Sequence, residues 1–142
     1  MKTFVPNFKT IERKWYVIDA ASLNVGRLAT EVANILRGKN KTIFTPSQDT
    51  GDYVIIINCD QTKFAGQKMD TKLYRKHTGY LGHLREATAR QVHTKNPTKI
   101  LFQAIAGMIP RNRLKKDILA KLHLYAGSEH PHVGQQPETL TF

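Results

Sequence analysis

Five consecutive residues, Tyr53-Val54-Ile55-Ile56-Ile57, are apolar with no polar residue among them. A strand with one face in water alternates apolar and polar side chains. This run therefore predicts a strand covered on both faces, as in a parallel sheet. An earlier β-prone run, Trp15 to Ile18, predicts a second strand. Between them Leu28, Val32, Ile35 and Leu36 recur at helical spacing, with Ala29 and Ala33 filling the same side. Asn24 is placed to cap that helix and Gly38 to end it in a left-handed conformation. A strand, a helix and a strand in that order predict an α/β domain with a right-handed connection.

The signals are weaker elsewhere. Residues 1–14 read as an N-terminal arm, and 15–142 as one domain with an extended tail. Lys39 to Asp52 reads as loop, and Thr62 to Gly66 as a short strand ending at a turn. Lys68 to His83 shows no period and is expected to be an extended surface loop or irregular strand, followed by a short helix over Leu84 to Val92. Asn96 and Pro97 start a helix carried by Ile100, Leu101, Ala104, Ile105 and Met108. Gly107 and Pro110 mark its stop, and a second, proline-started helix carries Leu114, Ile118, Leu119 and Leu122. Leu122 to Tyr125 is expected to be a last short strand, and Ala126 to Phe142 an irregular tail. Cys59 is the only cysteine, so no intrachain disulfide forms, and its aliphatic surroundings predict a small buried hydrophobe.

Charge narrows the function. Residues 1–71 carry ten basic and seven acidic side chains; residues 72–142 carry twelve and four, so the halves differ as +3 against +8. Such an excess draws polyanion to the second half. No apolar run approaches the ~20 residues that span a bilayer. Glycine loops for nucleotide phosphates and serine elbows are absent from the sequence. Asp19, after the first strand, supports a competing reading as a small α/β enzyme if a deep pocket sets it beside a histidine.

Two basic constellations carry the RNA reading. Arg111, Asn112 and Arg113 form the junction after Pro110, and Lys115, Lys116 and Lys121 extend it along the next helix. Two guanidinium groups beside helix-start amides are expected to grip a phosphate. The second constellation is Lys72, Arg75, Lys76, His77, Arg85 and Arg90, interleaved with Tyr74 and Tyr80. Here cations meet phosphates and the rings stack on unpaired bases. His130, Pro131 and His132 fix a bend and offer hydrogen-bond donors, and the two histidines complete the candidate RNA contacts. The histidines lack metal-ligand spacing, so neither a metal nor a cofactor is expected.

Several motifs then come together in order: Trp15 to Ala20, Gly26-Arg27-Leu28-Ala29 through Leu36-Arg37-Gly38-Lys39, Asp49 to Val54, and His77-Thr78-Gly79-Tyr80. They continue with Ala106 to Pro110, Asn112-Arg113-Leu114, Leu124 to Gly127, His130-Pro131-His132 and Gln135-Gln136-Pro137. With these the chain resembles the bacterial and organellar family of large-subunit ribosomal protein thirteen. It departs at Lys115-Lys116, where the family commonly has Gly-Arg, and at Gly134, where the family has Ala. The resemblance implies a central, mostly parallel sheet flanked by helices. It also implies a structural role in the large ribosomal subunit of a bacterial cytoplasm or organelle stroma. The implied partners are large-subunit rRNA and neighbouring ribosomal proteins, with no membrane and no small-molecule substrate. Within the family the segment Gly107 to Leu114 and the basic residues beyond it are associated with the RNA-facing part.

Overall fold

Strand β1 (Trp15–Asp19), helix α1 (Val25–Arg37) and strand β2 (Tyr53–Ile57) form where the apolar pattern places them. They belong to a computed structural model that describes residues 5–7 and 11–142. β1 and β2 pair in parallel, Trp15 opposite Tyr53 and Asp19 opposite Ile57. Asn24 sits at the start of α1, but its side chain makes no capping bond. At the other end Gly38 is left-handed, at φ 76°. Its N–H donates to Ile35 and that of Lys39 to Asn34, each at 3.0 Å, which satisfies two terminal carbonyls.

The sheet has four parallel strands. β5 (Leu122–Leu124) lies beside β2, and β6 (Glu138–Leu140) lies beside β1, giving the order β5-β2-β1-β6. The tail read as irregular thus ends in an edge strand. Three residues are too few to show a period, so only the pairing reveals it.

The middle of the chain departs further from expectation. Thr62 to Gly66 is no strand; it contributes a single parallel bridge, Lys63 to Asn24. The loop expected over Lys68 to His83 contains a one-turn helix α2 (Lys68–Thr71) and strand β3 (Leu73–His77). β3 pairs antiparallel with β4 (Leu84–Thr88), where a helix was expected. The helix α3 starts later, at Ala89–Lys95, behind a capping box between Thr88 and Gln91. Helix α4 (Pro97–Met108) starts on proline as read. Helix α5 (Lys115–Ala120) does not, since it begins five residues past Pro110.

Buried side chains of α1, α3, α4 and α5 share one core with Ile18, Val54 and Ile56 of the sheet. Val17 and Ile55 point the other way by strand alternation and are buried too, outside that cluster. On their face Trp15 stacks on Tyr53 with centroids 4.3 Å apart, and His123 and His132 lie against Trp15 at 5.5 and 5.2 Å. The His132 ring is fixed by a 2.8 Å hydrogen bond to the Tyr125 hydroxyl. Both faces are therefore covered, as the unbroken apolar run requires, one of them by rings and the returning tail. Cys59 is fully buried, which pushes its thiol up to about 12 and leaves it unreactive.

This ring layer is sensitive to acid. Burial first, and the charge of His132 second, hold the His123 imidazole below its usual value of 6.5. A base depressed in the folded state contributes stability that is complete above its unfolded value and is lost as pH falls through the folded one. Thermal melts taken across the range from about pH 7.5 to about pH 5 should therefore show Tm falling below roughly pH 6.5. His123→Phe should flatten that fall.

Candidate nucleic-acid interface

The β3–β4 hairpin places six of the expected contacts on or beside one projection. Lys72, Arg75, Lys76, His77, Tyr80 and Arg85 are all exposed. Pleating divides them. Arg75 lies opposite Glu86 on one face, and its guanidinium meets that carboxylate at 2.6 Å. Tyr74 and Ala87 lie on the other face, packed against the core at the hairpin base, with Lys76 opposite Arg85 farther out. Lys76 and Arg85 form no ion pair among the described residues. At the tip Tyr80 is 74% and Leu81 99% exposed, so the turn is built to be covered by something. Lys72 holds its ammonium 5.4 Å from the Tyr74 ring centre. Arg90 is engaged by Asp70, at 2.6 and 2.9 Å.

The α4–α5 junction holds the second group. Arg111, Asn112, Arg113 and Lys116 are exposed and Lys115 is half-buried. Asn112 and Leu114 line a cleft with Pro110, Arg37, Phe44 and Gln48, which anchors the junction between its two arginines. The expected grip by helix-start amides is only partly available. The N–H groups of Asn112 and Lys115 donate to the carbonyls of Pro110 and Asn112, at 3.0 and 3.2 Å, and α5 is less than two turns long. The cations remain without those two amides.

Lys121 is a correction. It was grouped with the exposed cations, but it is 3% exposed. Its ammonium donates to Asp49 Oδ1 at 2.5 Å and to the carbonyl of Leu36 at 2.9 Å, which fastens α5 to the end of α1. It faces the interior and is closed to RNA. Burial pushes the ammonium below the usual lysine range, against the pull of Asp49. Beside this pair Asp52, fully buried, accepts from Lys41 Nζ at 2.6 Å and from the N–H of Lys14 at 2.9 Å. The turn Asp49 to Asp52 is therefore a structural knot, and it ties down the end of the N-terminal arm.

His132 belongs to the ring layer and is held within the fold. His130 is half-buried beside it, with ring centres 6.5 Å apart. Asp19 accepts from the N–H of Ala21 at 2.9 Å and from Asn58 Nδ2 at 3.1 Å, so it caps its loop. Among the described residues no group of three or more His, Cys, Asp or Glu is arranged to hold a metal, and no helix is long and apolar enough to cross a membrane.

Four further cations line grooves outside the expected set. Lys95 and Lys99 line a groove of about 340 Å³ with Arg85, Ala87, Gln91, Val92 and Asn96. Arg27 and Lys68 line another of about 630 Å³ with Lys72, Phe64 and Met108. The signal for the first pair was present: two lysines four apart across a helix break, with no acid within reach in sequence.

The sequence matches the family described as Ribosomal protein L13 over residues 13–131. It is 50% identical to the large ribosomal subunit protein uL13 of Agathobacter rectalis, over the whole of both chains. It is 52% identical to that of Syntrophomonas wolfei, over 97% of this chain and 96% of the relative. For the Synechocystis protein of the same name identity is 50%, over 98% and 92%.

Proposed function

The chain belongs to the ribosomal protein L13 family, and from that premise we propose which of its residues meet RNA. It is a structural constituent of the large ribosomal subunit and not an enzyme. Its partners are large-subunit rRNA and neighbouring ribosomal proteins, and its place is the ribosome of the cytoplasm, as for its bacterial relatives. In this reading residues 15–142 are one rRNA-binding domain and residues 1–14 an N-terminal arm, lying on the domain or on a partner.

The contacts are two. One is the junction Arg111, Asn112, Arg113, Lys115 and Lys116. The other is the outer hairpin, Lys76, His77, Tyr80 and Arg85, with Lys72 at its foot. The supporting observation is that the cations of both groups stand without ion pairs among the described residues, while Lys121, Arg75 and Arg90 each have a carboxylate. Unpaired guanidinium and ammonium groups contact phosphate and position the protein; they carry little sequence information. His130 and His132 act through the tail that they pack.

The test is affinity for a large-subunit rRNA fragment against salt concentration. Arg111→Ala with Arg113→Ala should lower affinity and make the salt slope shallower by about 1.5, at roughly 0.7–0.9 per phosphate released. An unchanged slope would remove the junction from the interface. Sedimentation with large subunits through a high-salt wash tests the assembly itself.

A further inference from the structure

We propose that the groove between the hairpin and the α3–α4 corner, lined by Arg85, Lys95 and Lys99, holds a run of RNA backbone phosphates. This contact is separate from the α4–α5 junction, and it rests on the chain being an rRNA-binding protein.

Three features of the groove point to an anion. Its lining has three cations and no carboxylate: Arg85, Ala87, Gln91, Val92, Lys95, Asn96 and Lys99. The two acids of the neighbourhood are engaged elsewhere, Glu86 with Arg75 on the opposite hairpin face and Asp70 with Arg90. Next, Arg85 sits directly across the ladder from Lys76. Like charges in that position repel and weaken a hairpin, so the pair makes sense with an anion between or beside them. Finally, Lys99 lies in the first turn of α4, at the positive end of the helix dipole, and no acidic residue is in that turn. A cation there is unfavourable for the free helix. The protein therefore keeps two charges, Arg85 and Lys99, that work against its own fold, and both line this groove.

The groove is open and shallow in chemistry, with Ala87 and Val92 as its apolar part. A backbone strand fits this better than a single nucleotide, since no aromatic ring lines it for stacking. α4 has twelve residues, about 18 Å at 1.5 Å each, and the groove lies at its start while Arg111 follows its end. The two contacts therefore meet phosphates well apart on the RNA.

The test uses the full chain and a large-subunit rRNA fragment. The triple variant Arg85→Gln, Lys95→Gln, Lys99→Gln should bind at least about tenfold more weakly near 0.1 M salt, with a salt slope shallower by about 2. Its effect should add to that of the Arg111 and Arg113 double variant, as for distant independent sites. Lys99→Gln alone should leave Tm of the free protein equal or higher while weakening binding; a lysine that merely supported the fold would lower both. In isolated large subunits Lys95 and Lys99 should be shielded from acetylation relative to the free protein. Full reactivity of both lysines in the subunit overturns the groove alone; an unchanged slope in the triple variant overturns it, takes Arg85 out of the hairpin contact as well, and leaves the rRNA-binding reading of the chain standing. If the unaltered chain binds the rRNA no better than an unrelated RNA, that reading falls and the groove falls with it.

Discussion

Gly51→Ala is expected to destabilise the protein by about 4 kcal/mol, at the exceptional end for a single substitution. A Cβ at this position would overlap the carbonyl carbon and oxygen of Leu36 and lie 2.7 Å from Lys121 Nζ. The first two are backbone atoms of α1 and cannot swing aside. Overpacking alone costs about 1–3 kcal/mol. Here it also drives apart Lys121 and the Leu36 carbonyl, which are 2.9 Å apart and buried. Urea denaturation gives the difference. Gly107→Ala is the control: it lies within α4 with nothing within 4 Å of its added methyl. That change should stabilise by up to about 1 kcal/mol. Comparable losses at both positions would show that glycine at 51 is not required by a close approach.

Lys121→Met is expected to cost about 3 kcal/mol. Removing one member of a buried pair strands the other, and Asp49 would keep only the N–H of Gly51 at 3.2 Å and an Arg13 guanidinium 3.9 Å away. Arg13 is partly open to solvent, so it compensates weakly. Replacing Asp49 by Leu in the same chain should recover much of the loss, because the stranded charge is then gone. The same Lys121→Met protein should keep the salt slope of RNA binding unchanged. A shallower slope would return Lys121 to the interface. The experiment thus separates a cation that holds the fold from the cations proposed to meet phosphate.

How far the sequence could be read follows from where each segment is buried. β1, α1 and β2 lie in the core, and burial writes its period into the residues. The hairpin does not: Leu73, Arg75, His77, Lys76 and Arg85 are exposed, so neither face repeats an apolar residue and the segment reads as loop. Its pairing was hidden because its side chains face solvent, which is also what fits it to the proposed interface. The β4 region was misread because Thr88 ends a strand and caps a helix at once, and the helical signal of Ala89 to Val92 spread backwards. Lys121 misled because its sequence neighbours are charged, whereas its partners Asp49 and Leu36 lie 72 and 85 positions away. The junction arginines stand out in the sequence because charge is unopposed there. Lys95 and Lys99 were passed over because each, alone, looks like a solvated helix end.

The sheet also has an order in time. β1 is central, yet its outer neighbour pairs Tyr16 with Glu138, a separation of 138 − 16 = 122 positions. Closing so long a loop is slow, whereas the β1–α1–β2 unit is nearer to hand. A newly made chain, before residues 138–140 have emerged, therefore has one margin of β1 bare, with its amides and carbonyls turned outward. Until residues 138–140 arrive to seal it, that margin is an open template for pairing with another chain.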